Sequence, residues 1–325
     1  MKYRQFDDLS VSEIGLGTWQ LGADWGEVGD AEAQGILDAA VESGITFFDT
    51  ADVYGLGLSE KRIREFVNRT GADVTIATKL GRFPEPGWPE NFTGENLNRH
   101  VEASMERLGV DALDLTQLHC IPTELLVEYN VFESLRKIKG SGKIKRFGAS
   151  VESMEEAEFC LGQEGLTSLQ IIFNIYRQKP IESLFARAKE KDVALIVRLP
   201  LASGLLSGKF RRDTIFPEND HRNYNKDGDC FNVGETFAGI PFEKGLELTA
   251  RLAEIVPDNV PLAEIAMRWI LDFDEVSVVI PGASKKEQVI SNGRASAMEP
   301  LSKELHGKLK EFYENEVKEH IRGAY

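Results

Sequence analysis

Along the chain, short apolar runs alternate with stretches in which apolar positions recur every three or four residues. The runs are IGLGTW (14–19), TFFDTA (46–51), VTIATK (74–79), DLTQLH (114–119), KRFGAS (145–150), SLQIIFN (168–174), VALIVRL (193–199) and VSVVIP (276–281). They are rich in β-branched and aromatic residues and predict eight strands. Between them, Ala33, Ile36, Leu37, Ala40 and Val41 fall on one helical face, behind a candidate N-cap at Asp30 and before a stop at Gly44. Leu262, Ile265, Ala266, Trp269 and Ile270 repeat that spacing, and Leu97, Val101, Met105 and Leu108 follow it more loosely after Thr93.

Strands alternating with helices form parallel βα units, because a parallel connection needs a crossover that a helix usually supplies. Eight units predict a single (β/α)8 barrel (a TIM barrel) spanning 1–325, with an open doubly wound sheet as the competitor of equal strand count. The polar residues separate the two readings. The runs end in Trp19, in Asp49 with Thr50, in Lys79, His119, Ser150 and Asn174, and barrel enzymes place their chemistry where strands end. Three segments interrupt the pattern. Residues 202–250 contain a polar stretch without period and predict a long loop over the mouth; GRFPEPGWPENFT (81–93) predicts a second; residues 1–13 predict a short hairpin or lid.

Composition narrows the function. The 325 residues carry 53 acidic and 38 basic side chains, a net charge of -15, which repels nucleic acid and anionic membranes. Any anionic ligand therefore needs a local basic pocket. Cys120, Cys160 and Cys230 are few and widely spaced, which argues against a disulfide framework and against a zinc site of paired thiolates, so no metal is expected. The start MKYRQFDDLS lacks a signal-peptide core, and no apolar run approaches membrane-spanning length. A cytoplasmic location is expected, with no nucleic acid or membrane partner; oligomeric state is not legible.

Asp49, Tyr54, Lys79 and His119 lie at or just after different strand ends. Taken singly, each has a plainer reading: a cap, a packed phenol, a solvent-facing ammonium, a satisfied core histidine. A barrel would bring all four together. An ionised Lys79 beside Tyr54 would favour phenolate and make the phenol a usable proton donor, Asp49 would hold the lysine, and His119 would orient a carbonyl oxygen.

GLGTW (15–19), FDTADVYGLGLSE (48–60), IATK (76–79), LDLTQLH (113–119) and IPGASKKEQVISN (280–292) resemble the aldo-keto reductases, in order and over nearly the whole chain. The resemblance implies a barrel that binds NADPH, with NADH not excluded, and passes hydride to an aldehyde, ketone or sugar carbonyl. It places the catalytic tetrad on Asp49, Tyr54, Lys79 and His119, with the tyrosine as general acid. It assigns the nicotinamide amide to Ser150 and Gln170, with Val151 where asparagine is usual, and the ring-stacking position to Arg198, for which an ordinary salt bridge is the alternative. Pro200, Leu201, Ser203, Gly204, Leu205, Ser207 and Lys209 would hold the pyrophosphate. Gly282, Ser284, Lys285, Gln288 and Asn292 fall in the segment that grips the adenosine phosphate, although Ser284 replaces a frequent arginine. Trp19, Trp25 and Trp88 are candidates for the substrate wall. Two further readings predict different behaviour: a nicotinamide-binding regulatory subunit with little activity, and a lyase forming a Schiff base on Lys79.

Overall fold

A computed structural model of the chain describes residues 1–22 and 28–325. Among the described residues ten strands run in chain order: β1 (Tyr3–Phe6), β2 (Leu9–Ser12), β3 (Leu16–Gly17), β4 (Phe47–Asp49), β5 (Thr75–Leu80), β6 (Leu115–His119), β7 (Phe147–Ser150), β8 (Leu166–Ile172), β9 (Ala194–Arg198) and β10 (Val276–Val279). The helices are α1 (Asp30–Glu42), α2 (Leu58–Thr70), α3 (Gly94–Leu108), α4 (Thr123–Glu128), α5 (Val131–Gly140), α6 (Met154–Leu161), α7 (Leu184–Glu190), α8 (His221–Tyr224), α9 (Phe242–Ile255), α10 (Leu262–Leu271), α11 (Lys286–Arg294) and α12 (Lys303–Phe312).

Strands β3 to β10 pair in sequence order, all parallel. The ladder then closes on itself: Val279 donates to the Glu13 carbonyl at 2.9 Å, Gly15 to Val279 at 2.8 Å and Gly17 to Pro281 at 3.0 Å. A Cβ on Gly17 would stand 2.9 Å from the Ile280 carbonyl, so the seam closes because that residue has no side chain. The (β/α)8 barrel expected from the runs is the observed architecture, and each run overlaps one of its strands.

Side-chain alternation divides the interior into layers. Inward-facing Phe47, Ala77, Leu115, Ala194, Ile196, Val278 and Ile280 form an apolar cluster with Phe6 and Val11 of the β1–β2 hairpin. The hairpin therefore plugs the end where strands begin, opposite the mouth. Two residues further along the same strands, on the same inward face, come Asp49, Lys79, Gln117 and Arg198. The apolar floor supports a polar ceiling.

The helical periods place their elements correctly, with two corrections. Gly29 is the N-cap of α1, and Asp30 is its first helical residue; the Asp30 carboxylate accepts from Arg62 at 2.6 Å instead of capping. The 202–250 stretch is not one loop: short turns give way at Phe242 to α9, whose Leu248 and Leu252 are buried. Thr93 does cap α3, accepting from the Asn96 amide at 3.3 Å.

Candidate active site

Asp49 ends β4 and Lys79 lies in β5. In the parallel register Asp49 stands beside Ala77, so Lys79 projects inward two residues nearer the mouth and bends back to the carboxylate. The Nζ–Oδ1 distance is 2.5 Å, and the two residues are only 1% and 3% exposed. Lys79 also donates to the Thr50 carbonyl at 2.9 Å and to the Tyr54 hydroxyl at 3.3 Å. The second Asp49 oxygen accepts from Gln170 at 2.8 Å and Gln117 at 3.1 Å. A buried ion pair persists when its remaining lone pairs and protons are satisfied, and here both partners are.

Burial disfavours the Lys79 ammonium, but Asp49 and the Tyr54 oxygen outweigh it and hold Lys79 above the usual lysine value. It is a fixed cation, the wrong state for a Schiff-base nucleophile. Tyr54, on the turn beyond β4, feels two opposed effects: burial raises its pKa and the Lys79 charge lowers it. Burial wins. Tyr54 therefore stays protonated well past neutral pH, in contrast to the lowering that its lysine neighbour alone would suggest. Trp19 stacks on the Tyr54 ring, with centroids 5.8 Å apart and planes 15° apart, and His119 meets the ring edge-on at 5.9 Å. His119 is held neutral, far below the ordinary imidazole value, by burial and by the cations Arg82, Lys79 and Arg198. Its Nδ1 is buried without a partner among the described residues.

The remaining expected residues separate into groups. Gln170 spends its amide on Asp49 and on Gln117 Oε1 at 3.4 Å, beneath the tetrad. Ser150 accepts from the Cys120 thiol at 3.4 Å. Arg198 pairs with Glu235 at 3.4 Å and donates to the Val151 carbonyl at 3.3 Å, so the salt bridge set against its stacking role does form, and its Nε is buried without a partner among the described residues. Pro200 and Leu201 lead into Ser203 and Gly204, whose φ angles of 54° and 99° turn the backbone left-handed at the end of β9. The Ser203 hydroxyl is occupied by the Glu235 carbonyl and the Phe237 amide, at 3.0 and 3.1 Å. Leu205 is in the core, Ser207 bonds the Gly204 carbonyl at 2.6 Å, and Lys209 is exposed. Beyond β10, Gly282 pairs across the seam with Gly17, and the Ser284 and Lys285 amides donate to Gln288 at 2.7 and 3.3 Å. Lys285 is exposed and Asn292 buried.

Of the tryptophans, Trp19 belongs to the tetrad's surroundings and touches His221 at 5.0 Å from the 202–250 segment. Trp88 is 45% exposed, packs on Phe92 and donates to the Gly81 carbonyl at 2.5 Å. Trp25 lies outside the described residues. Sequence reasoning missed Gln117 and Glu235. Gln117 was legible by parity, two positions before His119 on one inward face. Glu235 was not, because an aperiodic segment delivers it.

These groups fit a nicotinamide dinucleotide. A neutral imidazole and a protonated phenol converge over a buried cation, a buried guanidinium N–H lies nearby, the end of β9 carries a left-handed turn, and Lys209 and Lys285 are exposed beyond β9 and β10.

The Aldo/keto reductase family model matches residues 13–314. The chain belongs to this family. An uncharacterized oxidoreductase of Mycobacterium tuberculosis is 31% identical to this aldo/keto reductase over 309 residues, covering 92% of this chain and 89% of that one. Aldo-keto reductase yakc [NADP(+)] of Schizosaccharomyces pombe is 26% identical over 302 residues, covering 89% and 85%. The holo form of an aldo-keto reductase from Bacillus halodurans superposes with a TM-score of 0.77 at 28% identity, covering 96% of each chain. This aldo/keto reductase is accordingly an NAD(P)H-dependent oxidoreductase on a TIM barrel, and no helix among its described residues is long and apolar enough to cross a membrane.

Proposed function

We propose that the protein reduces an aldehyde, ketone or sugar carbonyl with NADPH, using Tyr54 as the general acid. The observation that carries this reading is the convergence of Lys79 on Asp49 at 2.5 Å and on the Tyr54 hydroxyl at 3.3 Å. NADPH would supply the hydride to the carbonyl carbon. The chain's own residues do the rest. His119, neutral and at the rim, donates a hydrogen bond to the carbonyl oxygen and sets its direction. Tyr54 delivers its proton to that oxygen as negative charge develops, and Lys79 stabilises the phenolate left behind. A raised tyrosine pKa is compatible with this role, because the alkoxide that forms is more basic than any phenolate.

Asp49 keeps Lys79 ionised and in place, and Gln117 with Gln170 keeps Asp49 in place. For the cofactor, Ser150, Gln170 and Arg198 would face the nicotinamide, and the segment from Pro200 through Leu201, Ser203, Gly204, Leu205 and Ser207 to Lys209 would hold the pyrophosphate. Gly282, Ser284, Lys285, Gln288 and Asn292 would hold the adenosine end. Oxidation of NADPH and of NADH by the purified protein, followed at 340 nm with a panel of aldehydes, ketones and sugars, tests the assignment. Faster turnover with NADPH supports it; no turnover with either cofactor defeats it.

A further inference from the structure

Residues 321–325 cross the 226–239 segment and are fastened to it. Arg322 donates its amide and Nε to the Gly239 carbonyl at 3.2 and 3.0 Å, donates Nη2 to the Lys226 carbonyl at 3.0 Å and pairs with Asp227 at 3.1 Å. The residues that follow are fastened to the turn beyond β8. Arg177 donates Nη2 to the Ala324 carbonyl at 2.7 Å and lies 4.3 Å from the centroid of the Tyr325 ring. Lys179 donates its amide to the Tyr325 hydroxyl at 3.0 Å and Nζ to the Tyr325 main-chain oxygen at 2.6 Å. The 226–239 segment in turn reaches the site. Phe231 meets Trp19 at 6.1 Å, Asn232 donates to Glu152 at 3.3 Å, and the Glu235 carbonyl and Phe237 amide hold the Ser203 hydroxyl. Arg177 Nη1 fills the space that a side chain at Gly234 would need.

Arg177 is 1% exposed, and its Nε and Nη1 are buried without a partner among the described residues. A buried guanidinium with unmade hydrogen bonds carries a desolvation cost that one carbonyl and one ring face offset only in part. Burial pulls its pKa down to about 10 against the opposing influence of Tyr325, so its surroundings disfavour the cation on balance. When residues 321–325 lift, Arg177 loses its cover and is hydrated. Seating them therefore costs more with arginine at 177 than with an apolar side chain of similar length, and an element seated at such a cost opens readily.

We propose that Arg177 and Tyr325 are positioning residues that latch residues 321–325 over the 226–239 segment, and that the opening of this latch sets how fast a ligand leaves the mouth. Lid opening of this kind limits turnover in many enzymes. The release half of the inference rests on the NADPH reading above.

The latch predicts substitutions of opposite sign. Arg177→Met removes the buried charge and seats residues 321–325 more firmly. Tyr325→Ala removes the ring over Arg177 and the hydroxyl bonded to Lys179 and Tyr313, and seats them less firmly. Hydrogen–deuterium exchange of the full chain is expected to slow about tenfold in Arg177→Met and to quicken about tenfold in Tyr325→Ala, in 321–325 and 226–239 together. NADPH release, followed by loss of its fluorescence on mixing with excess NADP+, is expected to slow and quicken with them. A merely structural role loosens the protein in both variants. Tyr325→Phe, which keeps the ring and loses the hydroxyl, is expected to fall between Tyr325→Ala and wild type, and supplies the comparison if Arg177→Met does not fold. Faster exchange in Arg177→Met, or exchange in 226–239 that does not follow 321–325, overturns the latch. Unchanged NADPH release despite shifted exchange overturns its control of ligand exit. A wild-type protein that binds no NADPH overturns the cofactor reading, and the exchange measurement still decides the latch.

Discussion

Replacing Asp49 by Asn changes one oxygen for an amide nitrogen and removes one charge, yet it disturbs three hydrogen bonds. Lys79 loses the anion 2.5 Å from its Nζ, and Gln117 and Gln170 lose the shared acceptor at 3.1 and 2.8 Å or face another N–H donor there. Breaking a buried ion pair from one side costs roughly 3–5 kcal/mol, because the other charge stays desolvated and unpaired. Urea unfolding of the Asn variant is expected to show a loss of that size. The same change removes the main influence that keeps Lys79 above the ordinary lysine value against burial. The lysine pKa therefore falls, and the fraction that loses its proton no longer stabilises phenolate at Tyr54. The kcat/KM for carbonyl reduction should drop at neutral pH and decline further as pH rises, through a region where the wild-type profile is flat. A variant with an unchanged pH–rate profile, whatever its stability, would refute the coupling between Asp49, Lys79 and Tyr54.

Two other expectations come from groups around the site. Asp52 is fully buried with neither oxygen hydrogen-bonded among the described residues, and burial followed by repulsion from Glu60 raises its pKa to about 8. Its folded pKa exceeds its unfolded one, so the native state binds the proton more tightly and stability declines as pH climbs from about 4 to about 8. Asp52→Asn lacks that loss: its stability advantage over wild type should grow by about 3 kcal/mol between pH 5 and 7, at roughly 1.4 kcal/mol per unit, and parallel denaturation curves would contradict it. Lys285→Ala should lower the NADPH-over-NADH preference in kcat/KM about tenfold, the loss expected for one charge-assisted contact to a phosphate; an unchanged preference removes Lys285 from the adenosine phosphate site.

Much of this was legible because barrel periodicity is strong. The eight runs mark strands whose inward positions are apolar at one end and polar at the other, so Asp49, Lys79 and His119 could be assigned to one face before any coordinates. What escaped depended on side-chain choice or irregular backbone. Gln170 is at the expected height but turns to Asp49, a preference set by an acceptor 121 residues away. Arg198 could have been a stacking plane or an ion-pair partner, and its ion-pair partner Glu235 is placed by turns without period. The sign of the Tyr54 shift was equally hidden, since adjacency to a lysine is visible in a motif whereas the depth of burial is not.

The central claim is that the Tyr54 hydroxyl gives the proton. Its most direct test is the Tyr54→Phe variant, with NADPH oxidation followed alongside the wild-type protein on the same carbonyl substrate, and with NADPH binding measured separately by tryptophan fluorescence quenching. Loss of a general acid predicts a fall in kcat of about 10²–10⁴-fold with cofactor binding retained. Undiminished turnover in the phenylalanine variant would contradict the account.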